Sequence, residues 1–429
     1  MSAPADAIVI GAGIGGIAAA ACLERKGVHV VLLEAAEAGS GVREFWPVLE
    51  ALDPALVKTL KLSRRGFKFI QRDLPTLALR QDGRHLLLPR DPHKAARAIV
   101  ACSPADARAY ERRQAEIFAL ARRLRPWWWE TAEAPAGLPE RYKAASAQAL
   151  LAALFESDAV RTTLGFDVPE PFAPGSALAL LWRAGQEMCG LQGARALPQG
   201  GVPALADAMM ASIRELGVSF RSKARVRQVL VAGDEAAGVV LDSGEKIFSR
   251  AVVSCLSRRD TLLRLLPTAS AGIAQTLRLL SSAPRRSETV AVLTLNGEPG
   301  LGGRSSGGAV RHVIAEGEPA LEGVASDAPS PGQHRFIVKA KGTPTADAIV
   351  AQLERFAPQF RSRVLDIALT TRTLCPPKLL ASAQERIATP IRNLFLCGRD
   401  AEPVDALSGR AGRLAAEMVS AALQRKARP

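Results

Sequence analysis

The sequence predicts an α/β protein, and two features near its beginning carry that prediction. A short apolar run, Ala7 to Ile10, leads into a glycine-rich turn, and a helix of small residues follows to about Lys26. A second apolar run, Val28 to Leu33, ends in an acid, Glu34. Strand, turn, helix and second strand in this order predict a parallel β-α-β unit.

The glycines and the acid of this unit suit a dinucleotide ligand. Gly11 gives the turn its dihedral angles, Gly13 lets a phosphate approach the backbone, and Gly16 lets the helix pack close to the strand. The start of the helix favours negative charge. Glu34 is placed to accept a hydrogen bond from a ribose hydroxyl, and no basic residue adjoins it to receive a 2′-phosphate. These parts together predict a Rossmann-type dinucleotide-binding unit.

Two later stretches predict further parts of the same domain. A helix opens at Gly200-Gly201, and strands follow it near residues 219–220, 225–231, 236–241 and 251–254. Towards the end, a strand over residues 393–397 stops at a glycine, and a helix of small residues begins near Ser408. A strand that stops at a glycine before a helix suits a second contact to a long anionic cofactor.

Length and composition agree with a large enzyme. The 429 residues exceed one ordinary core, so we expect two domains, and 48% hydrophobic residues can fill them. The apolar stretch from Ala7 to Leu23 is interrupted by glycines, which argues against a membrane span, and no secretory signal precedes it. We therefore expect a cytoplasmic protein.

The cysteines and histidines do not indicate a metal site. The six cysteines show no metal-ligand or redox spacing along the sequence, which predicts reduced structural thiols. The five histidines are equally dispersed. The cysteines are Cys22, Cys102, Cys189, Cys255, Cys375 and Cys397.

The chain as a whole resembles the phytoene desaturase-like branch of the amine oxidase and carotenoid desaturase flavoproteins. Besides the β-α-β unit, the resemblance rests on four stretches: Ser103 to Ala107, Gly200-Gly201, Ala251 to Ser254 and Leu394 to Gly398. It implies that the cofactor is FAD, held in an extended pose, rather than NAD.

The resemblance also implies the residues that contact FAD. The turn would face the pyrophosphate, Glu34 with Ala35 beside it would face the adenosine ribose, and Val226 would meet the adenine through its backbone. The residues of the turn are Gly11, Gly13, Ile14, Gly15 and Gly16, and those at the ribityl and phosphate end are Gly398, Arg399 and Asp400.

The same resemblance divides the chain into two domains. The FAD-binding domain would comprise residues 1–60, 198–258 and 386–429, and a mixed α+β substrate domain would comprise residues 61–197 and 259–385. In the substrate domain the sequence predicts strands at 67–71, 77–80, 85–88, 290–295, 311–314 and 335–339, and a helix over 346–356. Such a layer is expected to roof the flavin and to shape an apolar tunnel.

Two segments depart from the family pattern where the redox ring should lie. After Glu34 the chain keeps only Gly39-Ser40-Gly41 and passes quickly to Asp53, so we expect the flavin ring to be more open than is usual in the family. Where the family often has a His-Pro-Gly-Gly run, this sequence has residues 402–407, Glu-Pro-Val-Asp-Ala-Leu. These departures bear on the chemistry more than on cofactor binding.

Two classes of function stay open at this point. The first is an FAD-dependent oxidoreductase that desaturates, isomerises or oxidises an apolar or secondary-metabolite substrate, with an amine oxidase as a variant. The second is a non-catalytic flavin-fold partner of another enzyme. No catalytic residue is assigned, because flavin carries out the redox chemistry itself. Candidate orienting groups or cavity residues are Arg43, Glu44, Gln199, Asp405 and Arg410.

A concentrated basic stretch suggests a further contact. Six arginines lie between Arg108 and Arg125 in a predicted helix that breaks at Pro126, and Trp127, Trp128 and Trp129 follow. Arginines beside tryptophans suit a peripheral contact with an anionic membrane, and the alternative is a solvated helix whose tryptophans fill the core. The net charge is +14, but no nucleic-acid recognition module is visible, so nucleic acid is not expected as a partner.

Overall fold

We describe the fold from a computed structural model of the chain. The structure describes residues 5–37, 46–129, 138–267, 286–302, 309–326, 330–374, 377–404 and 407–426. Two seven-stranded sheets, with helices packed on them, form its framework.

The strands, in chain order, are β1 (Ala5–Ile10), β2 (Val30–Leu33), β3 (Phe69–Gln71), β4 (Thr76–Ala78), β5 (Leu86–Leu88), β6 (Glu187–Met188), β7 (Leu191–Gln192), β8 (Leu197–Pro198), β9 (Ser219–Arg221), β10 (Val226–Ala232), β11 (Glu235–Leu241), β12 (Lys246–Ser254), β13 (Arg286–Leu295), β14 (Arg311–Ile314), β15 (Leu321–Ser326), β16 (His334–Lys341), β17 (Val364–Leu374) and β18 (Leu394–Leu396).

The helices are α1 (Ile14–Glu24), α2 (Pro54–Thr59), α3 (Pro92–Ile99), α4 (Pro104–Trp129), α5 (Glu140–Lys143), α6 (Ala147–Leu154), α7 (Asp158–Gly165), α8 (Ala177–Gly185), α9 (Gly201–Leu216), α10 (Arg258–Asp260), α11 (Ala346–Glu354), α12 (Phe360–Arg363), α13 (Ala383–Ile387) and α14 (Arg410–Lys426). No helix among the described residues is long and apolar enough to cross a membrane.

The first sheet, which we call the groove sheet, has the order β10-β11-β12-β1-β2-β9, and β18 pairs with β12. Strands β1, β2, β9, β12 and β18 run parallel, as the predicted β-α-β unit requires. The predicted meander forms the antiparallel strands β10, β11 and β12. Parallel strands covered by helices on their faces identify the α/β fold that the sequence predicts.

Small residues let two helices pack closely on the groove sheet. Helix α1 is buried almost all round, including the run Ala18 to Ala21, and it lies against α14 and α9. Helix α14 begins at the segment with the small residues Ala411 and Gly412 that the sequence singled out. The side chains of this interface belong to one continuous apolar core with β1 and β2.

The second sheet, which we call the roof sheet, has the order β17-β13-β16-β15-β14-β4-β5. Its pairings are antiparallel except for β14 with β4. The strands predicted at 77–80 and 85–88 are present as β4 and β5, and they pair with each other. Strands β15 and β17 were not predicted.

The tryptophan run lies in the core. The side chains of Trp127, Trp128 and Trp129 are 4%, 0% and 4% exposed, and the Trp128 Nε1 donates to the Leu379 carbonyl at 3.0 Å. Helix α4 continues through Pro126, so the predicted break there is wrong. Of the two alternatives for the tryptophans, the structure has the core one, and a membrane contact would be left to the exposed arginines such as Arg122 and Arg123.

We predict that Trp128→Ala lowers the free energy of unfolding by about 3–5 kcal/mol, because it empties a fully buried indole site. Arg123→Ala, an exposed change on the same helix, serves as the control and should stay within about 0.5 kcal/mol of the native protein. Urea and thermal unfolding measure both. A loss for Trp128→Ala as small as the control's would contradict the core placement.

Candidate functional site

The carboxyl ends of four parallel strands meet at one edge of the groove sheet. Ile10 pairs with Leu33 on one side and with Ser254 on the other, and Ser254 pairs with Leu396. The next residues along the chain therefore lie side by side; they are Gly11, Glu34, Cys255 and Cys397. Ligands of open parallel sheets bind at such an edge.

The glycine turn allows other groups to approach its backbone closely. Gly11 has a φ of +91°, which a residue with a side chain rarely adopts. A Cβ on Gly13 would lie 3.0 Å from the Cys255 Sγ, and one on Gly16 would lie 2.0 Å from the Gly11 carbonyl oxygen. Ile14 and Gly15 begin α1, whose first turn holds no acidic residue and whose N-cap makes no side-chain hydrogen bond. A phosphate therefore suits this helix start.

Glu34 joins the turn to the second strand. Its Oε2 accepts from the Ala12 backbone N–H at 2.8 Å, and its Oε1 accepts from the Ala36 N–H at 2.9 Å. Ala35, beside it, is exposed. The chain just before Val226 adjoins this point, since the Ala224 N–H donates to the Glu34 carbonyl at 2.8 Å. The residues predicted for the ribose and adenine end thus lie together.

Asp400 carries an unsatisfied acceptor at the other end of the site. Gly398 precedes a short 3₁₀ turn, Arg399–Ala401, and the Asp400 Oδ2 accepts from the Arg258 backbone N–H at 2.6 Å. The Asp400 Oδ1 is buried and has no hydrogen-bond partner. A buried carboxylate oxygen without a donor is unfavourable, and a ligand hydroxyl would satisfy it. The edge therefore fits a ligand with a pyrophosphate and sugar hydroxyls, as FAD has.

A pair of thiols at this edge was missed at the sequence level. Cys255 and Cys397, far apart in sequence, lie side by side because Ser254 pairs with Leu396, and the Cys255 Sγ lies against the glycine turn. The Cys397 thiol and the N–H groups of Gly16 and Gly13 lower the pKa of Cys255, while burial raises that of Cys397. The signal was available, because Cys255 directly follows one predicted strand and Cys397 is the last residue of another.

A cavity of about 420 Å³ lies between roof-sheet strands β13, β15, β16 and β17 and the segments 46–51 and 166–171. Arg399, the residue after Gly398, lies in its wall, so the cavity and the cofactor edge adjoin. Its apolar wall includes Leu49, Val404 and Leu407. Among the described residues, five acidic and five basic ones also line it: Glu50, Asp167, Glu170, Glu288, Glu322, Arg286, Lys339, Lys341, Arg372 and Arg399. This lining differs from the apolar tunnel that the resemblance implies.

The acidic residues of the cavity are held in ion pairs. Arg311, only 1% exposed, pairs with Asp167 and with Glu322, whose Oε1 lies 2.5 Å from the Arg311 Nε. The Lys339 Nζ lies 2.9 Å from the Glu322 Oε2. Burial opposes ionisation of Glu322, but Arg311 and Lys339 outweigh it and hold its pKa at about 2. The network is ionised at neutral pH.

Two of the predicted orienting residues, Arg410 and Gln199, do not line this cavity. Arg410 is buried against the Trp129 ring, 4.0 Å from its centroid, and lies 4.0 Å from Asp53. Gln199 is exposed on the surface. Arg43, Glu44 and Asp405, and residues 38–45 of the short link after Glu34, lie outside the described residues. Within the described ranges no group of three acidic, histidine or cysteine side chains could hold a metal ion.

We predict that Gly13→Val abolishes FAD binding, because its side chain would occupy the position of the pyrophosphate and press on Cys255. The purified variant should be colourless while its far-UV circular dichroism matches that of the native protein. A yellow variant with full FAD content would contradict the placement of the pyrophosphate.

We also predict that FAD protects Cys255 from alkylation. Its thiol contacts the glycine turn, so a bound pyrophosphate would cover it, whereas the exposed Cys189 lies outside this groove. Iodoacetamide labelling followed by peptide mass spectrometry, with and without FAD, measures both sites. Cys189 should label equally in the two states. Equal labelling of Cys255 with and without FAD would show that the cofactor lies elsewhere.

The whole chain can now be compared with known proteins. Residues 6–417 match the family described as FAD dependent oxidoreductase. A protein of Rattus norvegicus, pyridine nucleotide-disulfide oxidoreductase domain-containing protein 2, is 31% identical over 318 residues, which cover 61% of this chain and 55% of the rat protein. This chain therefore spans about half the length of the curated relatives it matches.

Solved structures share the fold. An oxidoreductase from Methanosarcina mazei superposes with a TM-score of 0.69 at 16% identity, covering 97% of this chain and 99% of that one. Cyclohexylamine oxidase from Brevibacterium oxydans superposes with a TM-score of 0.64 at 17% identity, covering 99% and 100%. Because the family match spans nearly the whole chain and the groove fits a dinucleotide, this protein belongs to the FAD-dependent oxidoreductases, and its cofactor is FAD.

Proposed function

We propose that the chain oxidises a small organic molecule bound in the cavity beside the roof sheet. The proposal rests on one residue that adjoins both sites. Arg399 lines the cavity and directly follows Gly398, at the sheet edge where the cofactor fits. Pockets at domain interfaces beside a cofactor are the usual sites of substrate binding. A substrate in this cavity would therefore lie next to the redox cofactor.

The residues of the chain have binding and shielding roles in this proposal. FAD, when bound, supplies a two-electron acceptor for a C–H or C–N bond. The glycine turn holds the pyrophosphate, Glu34 accepts from the ribose, and Asp400 accepts from a hydroxyl of the ribityl chain. Leu49, Val404 and Leu407 form the apolar wall that keeps water from the substrate. No side chain is assigned as a general base.

The finer class is part of the proposal. The resemblance to phytoene desaturase-like proteins favours a desaturation or oxidation, and the fold shared with cyclohexylamine oxidase is compatible with an oxidase. The charged lining of the cavity favours a substrate with a polar group over a pure hydrocarbon, since an apolar surface would displace water from the charged walls without offering them a hydrogen bond. We therefore place the protein among oxidoreductases of functionalised, partly apolar molecules.

An anaerobic half-reaction tests the proposal. The FAD-loaded protein is mixed with a panel of alkyl and cyclic amines, alcohols and carboxylates, and bleaching of the flavin absorbance is followed. At least one compound should bleach the flavin. Ser287→Trp, which fills the cavity from the roof sheet, should slow bleaching at least about tenfold with unchanged FAD content, and Ser287→Ala should not. A protein that holds FAD but is bleached by no compound would support the non-catalytic alternative.

A further inference from the structure

The ion pairs of the cavity indicate the charge of the substrate, if the cavity is the substrate site of the proposed function. Every carboxylate that the described residues contribute to the wall already faces a cation. Glu170 lies 3.1 Å from Arg286, Glu288 lies 2.7 Å from Arg372, and the remaining acids pair with cations of the Arg311 network. Those remaining acids are Glu50, Asp167 and Glu322.

One lysine of the wall has no such partner. The Lys341 Nζ donates to the Phe166 carbonyl at 3.2 Å and lies 4.7 Å from the centre of the Phe166 ring. No carboxylate of the described residues lies within ion-pair distance of it. Lys341 is at the end of β16, on the same face as Lys339, and is partly open to solvent. It is therefore a cation at the mouth of the cavity that can take an anionic partner.

The ion network behind the cavity wall also has more positive than negative charges. Arg183 lies at its far side, where its guanidinium donates to the carbonyls of Gly193, Ala194 and Glu50 rather than to a carboxylate. Burial and the neighbouring Arg195 lower the pKa of Arg183 to about 9, so it is still charged at neutral pH. Apart from the Glu170–Arg286 and Glu288–Arg372 pairs, three described carboxylates (Glu50, Asp167 and Glu322) thus face five cations. These cations are Arg183, Arg195, Arg311, Lys339 and Lys341.

We infer that the cavity binds a substrate that carries a carboxylate on an apolar body, with Lys341 as the counter-ion of the carboxylate. The uncompensated positive charge attracts an anion, whereas a cationic amine would have to displace a cation from an existing pair. The apolar body would lie along Leu49, Val404 and Leu407. A carboxylate is the simplest such anion, because a lysine amine at the cavity mouth can both pair with it and donate to it.

Two probes of equal chain length test this inference on the FAD-loaded protein. Octanoate and octylamine are titrated separately, and binding is read from the perturbation of the flavin absorption spectrum and from the shift of the unfolding temperature. Octanoate should bind, more weakly as salt rises. Octylamine should bind at least about tenfold more weakly than octanoate.

Three variants assign the effect to Lys341. Lys341→Met should weaken octanoate about fivefold, as expected for a partly exposed ion pair, and Lys341→Arg should retain most of the affinity. Lys246→Met, which removes an exposed lysine from the groove sheet, should leave octanoate binding unchanged. FAD content and unfolding temperature without probe should match the native protein in all three.

Two results would overturn the inference: octylamine binding as tightly as octanoate, or unchanged octanoate binding in Lys341→Met. These binding readouts need no turnover, so the inference and the proposed function fail separately. Octanoate binding without bleaching of the flavin by any compound would leave the inference standing and remove the oxidoreductase proposal. Bleaching of the flavin by amines, with no binding of octanoate, would support the proposed function and overturn the inference about the carboxylate.

Discussion

Backbone contact at the glycine turn is the constraint on which the rest of the structure depends. A Cβ on Gly15 would lie 1.9 Å from the Cys397 carbonyl oxygen, and one on Gly412 would lie 2.1 Å from the Gly15 carbonyl oxygen. Real Cβ atoms do not approach oxygen so closely, so only glycine permits these contacts. They join the beginning of the chain to its last strand and last helix, and thereby bring Glu34 and Asp400 to the two ends of one groove.

The cavity is built on a different principle. Its wall combines apolar residues with a buried ion network, in which Arg311 faces Asp167 and Glu322. Removing one member of such a network leaves an uncompensated buried charge, typically at a cost of about 3–5 kcal/mol, so these residues fix the shape of the roof sheet. Lys341 has no carboxylate partner among the described residues, so it does not hold the roof sheet in place and can pair with a charged ligand. The paired residues of the network therefore stabilise the roof sheet, whereas Lys341 can bind a charged group of a ligand.

Much of the groove could be predicted from the sequence, because each part has a local signal. The apolar run before Gly11, the acid at Glu34 and the strand before Gly398 are readable from neighbouring residues alone, and the structure aligns them at one sheet edge. The cavity could not be predicted in this way. Asp167, Arg311 and Glu322 come from separate elements, and their pairing depends on strand register and on the position of a loop, neither of which has a local signature.

Local sequence patterns also failed at two places where the surrounding structure determines the conformation. Strand β17 is an exposed edge with no apolar alternation, so the sequence showed no strand there. The tryptophans of α4 follow an arginine-rich stretch that resembles a membrane-binding segment. They nevertheless face the core, because the helix continues through Pro126.

Identification of the bound cofactor tests the central claim most directly, namely that the converging segments form an FAD groove. The visible spectrum of the purified protein is recorded, the protein is then denatured by heat, and the released small molecule is identified by mass. We predict a flavin spectrum and the release of one intact FAD for each chain, with no flavin left attached to the denatured protein. A colourless protein that releases no flavin, and whose unfolding temperature does not rise when FAD is added, would contradict the account.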